Sequence, residues 1–173
     1  MRTAADEMRA PKYAHVERER RWLVQPNAKP ETDATGCVLI EDRYIIGTRL
    51  RLRRMTDEAT GARAHKLTRK YEAADPLARP IVTAYLDDAE YAVLTALPAH
   101  ALTKRRFTIR SGDHDYNVDR FEGALAGLRL TEIEQEDDAA LRALDAPHWA
   151  GHDVSHDPHY QGGTLALSGI PKE

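Results

Sequence analysis

The sequence predicts an α+β fold that is mainly antiparallel β: an eight-stranded closed β-barrel with a few short helices outside it. Three observations carry this. Eight segments alternate in polarity with the two-residue period of a strand. Loops rich in Gly, Pro, Asp and Asn separate them. The polar rows are charged, and their sign depends on the strand, which an ordinary solvated sheet face does not require. The chain has 173 residues, enough for one domain with a core.

The first strand is Tyr13–Val24, in which Glu17, Glu19 and Arg21 share a face. Residues 1–12 ahead of it are polar and read as a flexible terminus, and 13–173 read as a single domain. Gln25–Gly36 carries Pro26, Asn27, Pro30 and Asp33 and is a loop. Cys37–Ile46 and Arg49–Met55 form a hairpin around Gly47; in the latter, Arg49, Arg51 and Arg53 oppose Leu50 and Leu52. Arg63–Glu72 aligns Lys66, Thr68 and Lys70. Ile81–Leu86 is the fifth strand; its inward residues are Thr83 and Tyr85 in one register, Val82 and Ala84 in the other. Asp87–Leu97 is a helix, since Ala89, Val93, Leu94 and Leu97 recur at helical spacing and Pro98 ends it. Leu102–Arg110 aligns Lys104 with Arg106, His114–Phe121 aligns Asn117 with Asp119, and Leu128–Gln135 aligns Glu132 with Glu134. Asp137–Leu144 is a short helix with acids in its first turn, where the helix dipole favours them. From Pro147 onward the chain is irregular, with a last helical turn near Tyr160–Leu167.

The sign of the rows points to chemistry. Arg and Lys dominate the third, fourth and sixth strands, while Glu-x-Glu pairs occupy the first and eighth. A barrel with a polar lumen accounts for both: basic walls hold an anion, and carboxylates hold cations that neutralise it. Hard oxygen ligands suit Mg²⁺ or Mn²⁺. Such ions and basic side chains are what a polyphosphate chain requires.

Composition narrows the partners. The net charge of −3 argues against a nonspecific nucleic-acid binder. Cys37 is the single cysteine, which excludes an internal disulfide. No apolar run approaches the roughly 20 residues of a membrane span. Met1–Lys12 lacks the apolar stretch of a signal peptide, so a cytoplasmic location is expected.

Taken in order, these segments resemble the CYTH superfamily, the triphosphate tunnel metalloenzymes. The family motif Glu-x-Glu-x-Lys followed by apolar residues and Val is similar to Val16-Glu17-Arg18-Glu19-Arg20-Arg21-Trp22-Leu23-Val24. Tyr44 precedes the basic strand Arg49–Arg53. Leu67–Lys70 looks like the family's Thr-x-Lys strand, Lys104–Phe107 its Lys-x-Arg-aromatic strand, Val118–Gly123 its Asp-x-Phe-x-Gly element, and Leu128–Glu134 its closing Leu-x-Glu-x-Glu strand. Pro147–Gly151 and Asp153-Val154-Ser155 are similar to its terminal stretch, and Tyr160 follows.

The resemblance implies a metal-dependent triphosphatase acting on inorganic triphosphate or a related compound, with a homodimer as a common state. Two other activities fit the family: triphosphate or nucleotide binding with little hydrolysis, and cyclisation of ATP as in class IV adenylate cyclases. Carried over, Glu17, Glu19, Glu132 and Glu134 ligate Mg²⁺ or Mn²⁺, and Asp119 is a further ligand or a supporting acceptor. Arg51, Arg53, Lys70, Lys104 and Arg106 grip the phosphates, by bidentate contacts for Arg and as point charges for Lys. Lys70 or a nearby carboxylate organises the attacking water, and Arg21 takes the place of the motif lysine. Two departures stand out. Arg21 keeps the charge but cannot act as a tunable acid or base. The fifth strand lacks the Glu-x-Glu that active triphosphatases usually carry there.

Three further readings complete the sequence. Tyr44 has two placements, lumen or core. Trp22 and Trp149 are packing residues. His148, His152, His156 and His159 read as a polar loop near the tunnel mouth rather than a zinc site, because Pro and Gly interrupt their spacing.

Overall fold

The structure, a computed structural model, describes residues 11–172, so the terminus read as flexible lies outside it over residues 1–10. The described residues form nine strands in one antiparallel sheet. They are β1 His15–Val24, β2 Gly36–Ile45, β3 Leu50–Asp57, β4 Arg63–Lys70, β5 Ala78–Leu86, β6 Ala99–Ser111, β7 His114–Phe121, β8 Arg129–Glu134 and β9 Ala150–Asp153. Three helices accompany them: α1 Asp88–Thr95, α2 Asp138–Ala143 and α3 Gly162–Ser168. No helix among the described residues is long and apolar enough to cross a membrane.

The neighbour order β5-β4-β3-β2-β6-β7-β8-β1 closes on itself because β1 also pairs with β5. The closed barrel of eight strands is therefore the fold expected from the alternation. β1 makes the closure by splitting its length. His15–Arg18 pairs with β5, and Glu19–Leu23 pairs with β8. Beyond β5 the edge of β1 would be open, and β9 covers it with Trp22 opposite Asp153 and Val24 opposite Ala150. β9 is the element that the sequence reading left irregular. Four residues are too few to reveal a period, and Gly151 interrupts them. That glycine has a packing reason: a Cβ there would lie 3.3 Å from the Leu23 carbonyl oxygen.

β6 also differs, starting at Ala99 rather than Leu102. Its early residues are held by β2, with Ile45 opposite Ala99 and Tyr44 opposite His100. The helices lie where the sequence places them, but the apolar spacing read in α1 is not its buried face: Ala89, Val93 and Leu97 are exposed, and Tyr91 is the buried residue. Asp87 caps α1 in a capping box with Glu90, and the Asp137 side chain accepts from the Ala140 N–H at 2.7 Å to start α2.

The apolar residues do not fill the lumen. One cluster lies outside the sheet, where Trp22, Ile109, Val118 and Ile133 pack under Leu141 of α2 and Trp149. The Trp149 indole donates to Thr131 Oγ1 at 3.2 Å, so both tryptophans are packing residues. A second cluster gathers Leu102, Phe121, Leu130, Val154 and Leu165 of α3 at one end of the lumen, where Phe121, Leu130 and Leu165 line the cavity. Full burial of each such side chain contributes about 1.5–3 kcal/mol. With its stability drawn from these two clusters, the barrel can keep a charged interior.

Candidate active site

A cavity of about 480 Å³ occupies the barrel. The residues to which the resemblance gives metal, phosphate or catalytic roles all line it except Asp119. Alternation puts them there: odd positions of β1, β3 and the even positions of β4, β6 and β8 face inward, and closure turns those faces toward one another.

The register of β1 against β8 sets Glu19 opposite Glu134 and Arg21 opposite Glu132. Glu17, Glu19 and Glu134 each bring a carboxylate oxygen within 4.8 Å of the other two. Burial, then repulsion from Glu17, Glu19 and Glu132, pushes the Glu134 carboxyl up to about 7. Lys70 pairs with Glu17 and, against the effect of burial, holds that carboxyl below its ordinary value. Three crowded carboxylates of this kind fit a hard divalent cation, which would relieve their repulsion.

The other two acids are engaged elsewhere. Glu132 takes Arg21 Nε at 3.0 Å and a second ion pair from Arg106. Burial opposes ionisation, but Arg21, Lys104 and Arg106 hold the Glu132 carboxyl well below the usual range. Asp119 is fully buried behind the cavity wall, where it accepts from Lys104 Nζ and from Arg106 Nε and Nη2 at 2.7 Å each. The structure thus gathers three of the five predicted acids and sets Glu132 and Asp119 apart as counter-ions to the basic wall. For Asp119 this is the supporting role of the two that the resemblance offered.

On the basic side, Arg53 makes two contacts with Asp42, at 2.6 and 2.7 Å. Arg51 Nε is 3.8 Å from the same carboxylate and has no hydrogen-bond partner although buried. Lys104 is held below its ordinary pKa, since burial outweighs the pull of Asp119. Arg21 ties the acids to the C-terminal segment: Nε donates to Glu19 at 3.1 Å and Nη1 to the Tyr160 carbonyl at 2.8 Å.

Tyr44 lies in the lumen, which decides between its two placements. Burial, then the nearby Asp42 charge, raises its hydroxyl to about 12, so it stays a hydrogen-bond donor at neutral pH. α3 can reach its ring only because Gly162 and Gly163 carry no side chain; a Cβ at Gly162 would overlap the Tyr44 hydroxyl. The β5 register is also decided. Thr83 pairs with Thr68, their hydroxyls 3.0 Å apart, so Thr83 and Tyr85 share the inward parity, although Tyr85 near the strand end is exposed and lies outside the cavity. That row continues to Arg79, opposite Glu17, and β5 contributes no carboxylate.

Sequence reasoning missed Asp42, Arg79 and Gln161. Arg79 Nη1 donates to Gln161 Oε1 at 2.8 Å and lines the cavity. Its signal was available, since Arg79 shares parity with Thr83, but the strand expected from sequence starts at Ile81, whereas β5 starts at Ala78. Asp42 looked like one acid on a mixed strand. The four C-terminal histidines do not gather among the described residues; His159 Nδ1 meets Asp157 at 2.8 Å instead. The cavity as a whole offers carboxylates on one side and guanidinium and ammonium groups on the other.

No protein-family model matches the chain. It is 38% identical over 53 residues to the inorganic triphosphatase of Nitrosomonas europaea, a match that covers 31% of this chain and 35% of that protein. The chain therefore spans about a third of this curated relative. Among solved structures, the inorganic triphosphatase NE1496 aligns with a TM-score of 0.56 and 25% identity, covering 90% of this chain and 97% of that one. The PH1819 protein of Pyrococcus horikoshii OT3 shares the fold, with a TM-score of 0.56, 17% identity, and coverage of 73% of this chain and 82% of that one. The ordered motifs, the closed barrel around a charged lumen and these similarities fit the CYTH superfamily.

Proposed function

We propose that the chain binds a triphosphate in the barrel and hydrolyses it with the help of Mg²⁺ or Mn²⁺. One observation carries the reading: a three-carboxylate cluster faces an Arg- and Lys-lined wall across a single cavity. Inorganic triphosphate is the first substrate to test, because two of the similar proteins are inorganic triphosphatases by name.

Glu17, Glu19 and Glu134 would hold the cation. When bound, the ion supplies charge neutralisation on the phosphates and lowers the pKa of a water. The chain's own residues do the rest. Arg51 and the remaining N–H groups of Arg53 bind phosphate oxygens from β3, and Lys104 and Arg106 bind from β6. Asp119 and Glu132 fix the last two in place, so little reorganisation is needed when the anion enters. Lys70, in contact with the acid cluster through Glu17, orients the attacking water. Arg21 keeps its charge throughout and serves as a structural link from Glu19 and Glu132 to Tyr160.

A second reading has one observation in its favour. With no carboxylate on β5, a further metal lacks ligands there, which favours triphosphate binding with slow hydrolysis. The deciding experiment measures phosphate release from inorganic triphosphate with excess Mg²⁺ or Mn²⁺ from neutral to alkaline pH. Robust turnover establishes the hydrolase. A raised melting temperature without turnover establishes the binding protein. With ATP, release of pyrophosphate and a cyclic nucleotide would replace both by a cyclase.

A further inference from the structure

Asp42 is 1% exposed, sits behind the cavity wall rather than on it, and has no role in the mechanism above. The charged groups acting on it are all cationic: Arg53, Arg51 and Lys104. Across the β2–β3 pair it stands opposite Arg53, and Tyr44 two residues on stands opposite Arg51. Two of its contacts go to Arg53, at 2.6 and 2.7 Å, and Arg51 Nε lies 3.8 Å away. Both arginines line the cavity. An ion pair buried this deeply is a weak source of stability, because desolvation offsets the attraction. Its larger consequence is for the charge that an entering anion meets.

We infer that Asp42 sets the anion affinity of the cavity, by neutralising Arg53 and leaving Arg51 as the unbalanced cation of β3. The Arg53–Asp42 pair then offers directed N–H groups with no net charge, and the wall grips a phosphate chain without trapping it. Asp42 is a positioning residue: it acts through the arginines and does not touch the ligand. The inference rests on the triphosphate-binding reading given above.

The sign of its effect separates it from a purely structural role. Removing a merely structural acid would loosen the site and weaken binding. Removing a neutralising acid releases positive charge toward the ligand and tightens binding. The test is calorimetric titration of inorganic triphosphate into the metal-free protein, in EDTA, for wild type, Asp42→Asn and the double variant Asp42→Asn with Arg53→Gln. Asp42→Asn is expected to bind at least about tenfold more tightly, since one unscreened charge near a polyanion is worth that or more. The double variant leaves no buried ion unpaired but also takes the Arg53 N–H groups from the phosphate site, so it is expected to bind about tenfold or more weakly than Asp42→Asn. Binding by Asp42→Asn that is unchanged or weaker overturns the inference. If Asp42→Asn does not fold, the double variant is compared with Arg53→Gln alone, both lacking the same N–H groups: tighter binding by the double variant supports the inference, and equal or weaker binding overturns it. No binding by the wild type overturns the triphosphate reading and this inference together, whereas binding by the wild type without the expected tightening overturns only the role of Asp42.

Discussion

Glu134→Gln should make the metal-free protein more stable at alkaline pH, although it removes a proposed ligand. The carboxyl is raised from an ordinary 4.5 to about 7 by burial and by Glu17, Glu19 and Glu132. A raised acid binds its proton more tightly in the folded state. Its contribution to stability is therefore complete below about 4.5, declines as pH rises, and is lost above about 7. The move from 4.5 to about 7 sets a ceiling of about 3 kcal/mol. Glu134 is partly open to solvent, and screening brings the expected gain of the variant at pH 8 to about 1–2 kcal/mol. For a chain of this size that is a rise of about 3–6 °C in melting temperature. The assay is thermal unfolding of both proteins in EDTA between pH 4 and pH 8, repeated with excess Mg²⁺. The two curves should meet near pH 4 and diverge with pH. Added Mg²⁺ should raise the wild type more than the variant, with a weaker effect below pH 7, where the ion must displace a proton. A variant less stable than wild type at pH 8 without metal would refute the crowding argument.

Other perturbations separate the parts of the site. Asp119→Ala leaves Lys104 and Arg106 without their shared buried partner and should cost about 3–5 kcal/mol, read by chemical denaturation. Inorganic triphosphate should raise the melting temperature of that variant by more degrees than it raises the wild type, because the anion replaces the lost counter-charge. Lys70→Ala should weaken triphosphate binding even in EDTA, and an unchanged affinity in calorimetry would remove Lys70 from the anion site. Gly162→Ala forces a side chain onto the Tyr44 hydroxyl and should cost about 1–3 kcal/mol by overpacking, with a measurable change in tyrosine environment.

Much of the site is legible along single strands. Alternation alone puts Glu17, Glu19 and Arg21 on one face, and the same rule aligns Arg51 with Arg53, Lys104 with Arg106, and Glu132 with Glu134. Helix positions were legible for an equally local reason, since Pro98 ends one helix and acids mark the first turn of another; the Asp87 and Asp137 caps are seen only in the structure. These signals need no knowledge of which strand lies beside which.

What the tertiary structure decided depends on pairing at long range. The shear of the closed barrel sets Glu19 beside Glu134, and from that follows which carboxylates crowd together and which find a cation. In sequence Glu132 and Glu134 are equivalent members of one motif; in the barrel, the first takes two arginines and the second is left with acids. Asp42 reads as one more surface acid until β3 brings Arg53 across from it. β9 exists only because β1 outruns β5 and leaves backbone groups to satisfy. Periodicity names the face on which a side chain stands, but charge neutralisation is a property of neighbours, and neighbours are set by closure.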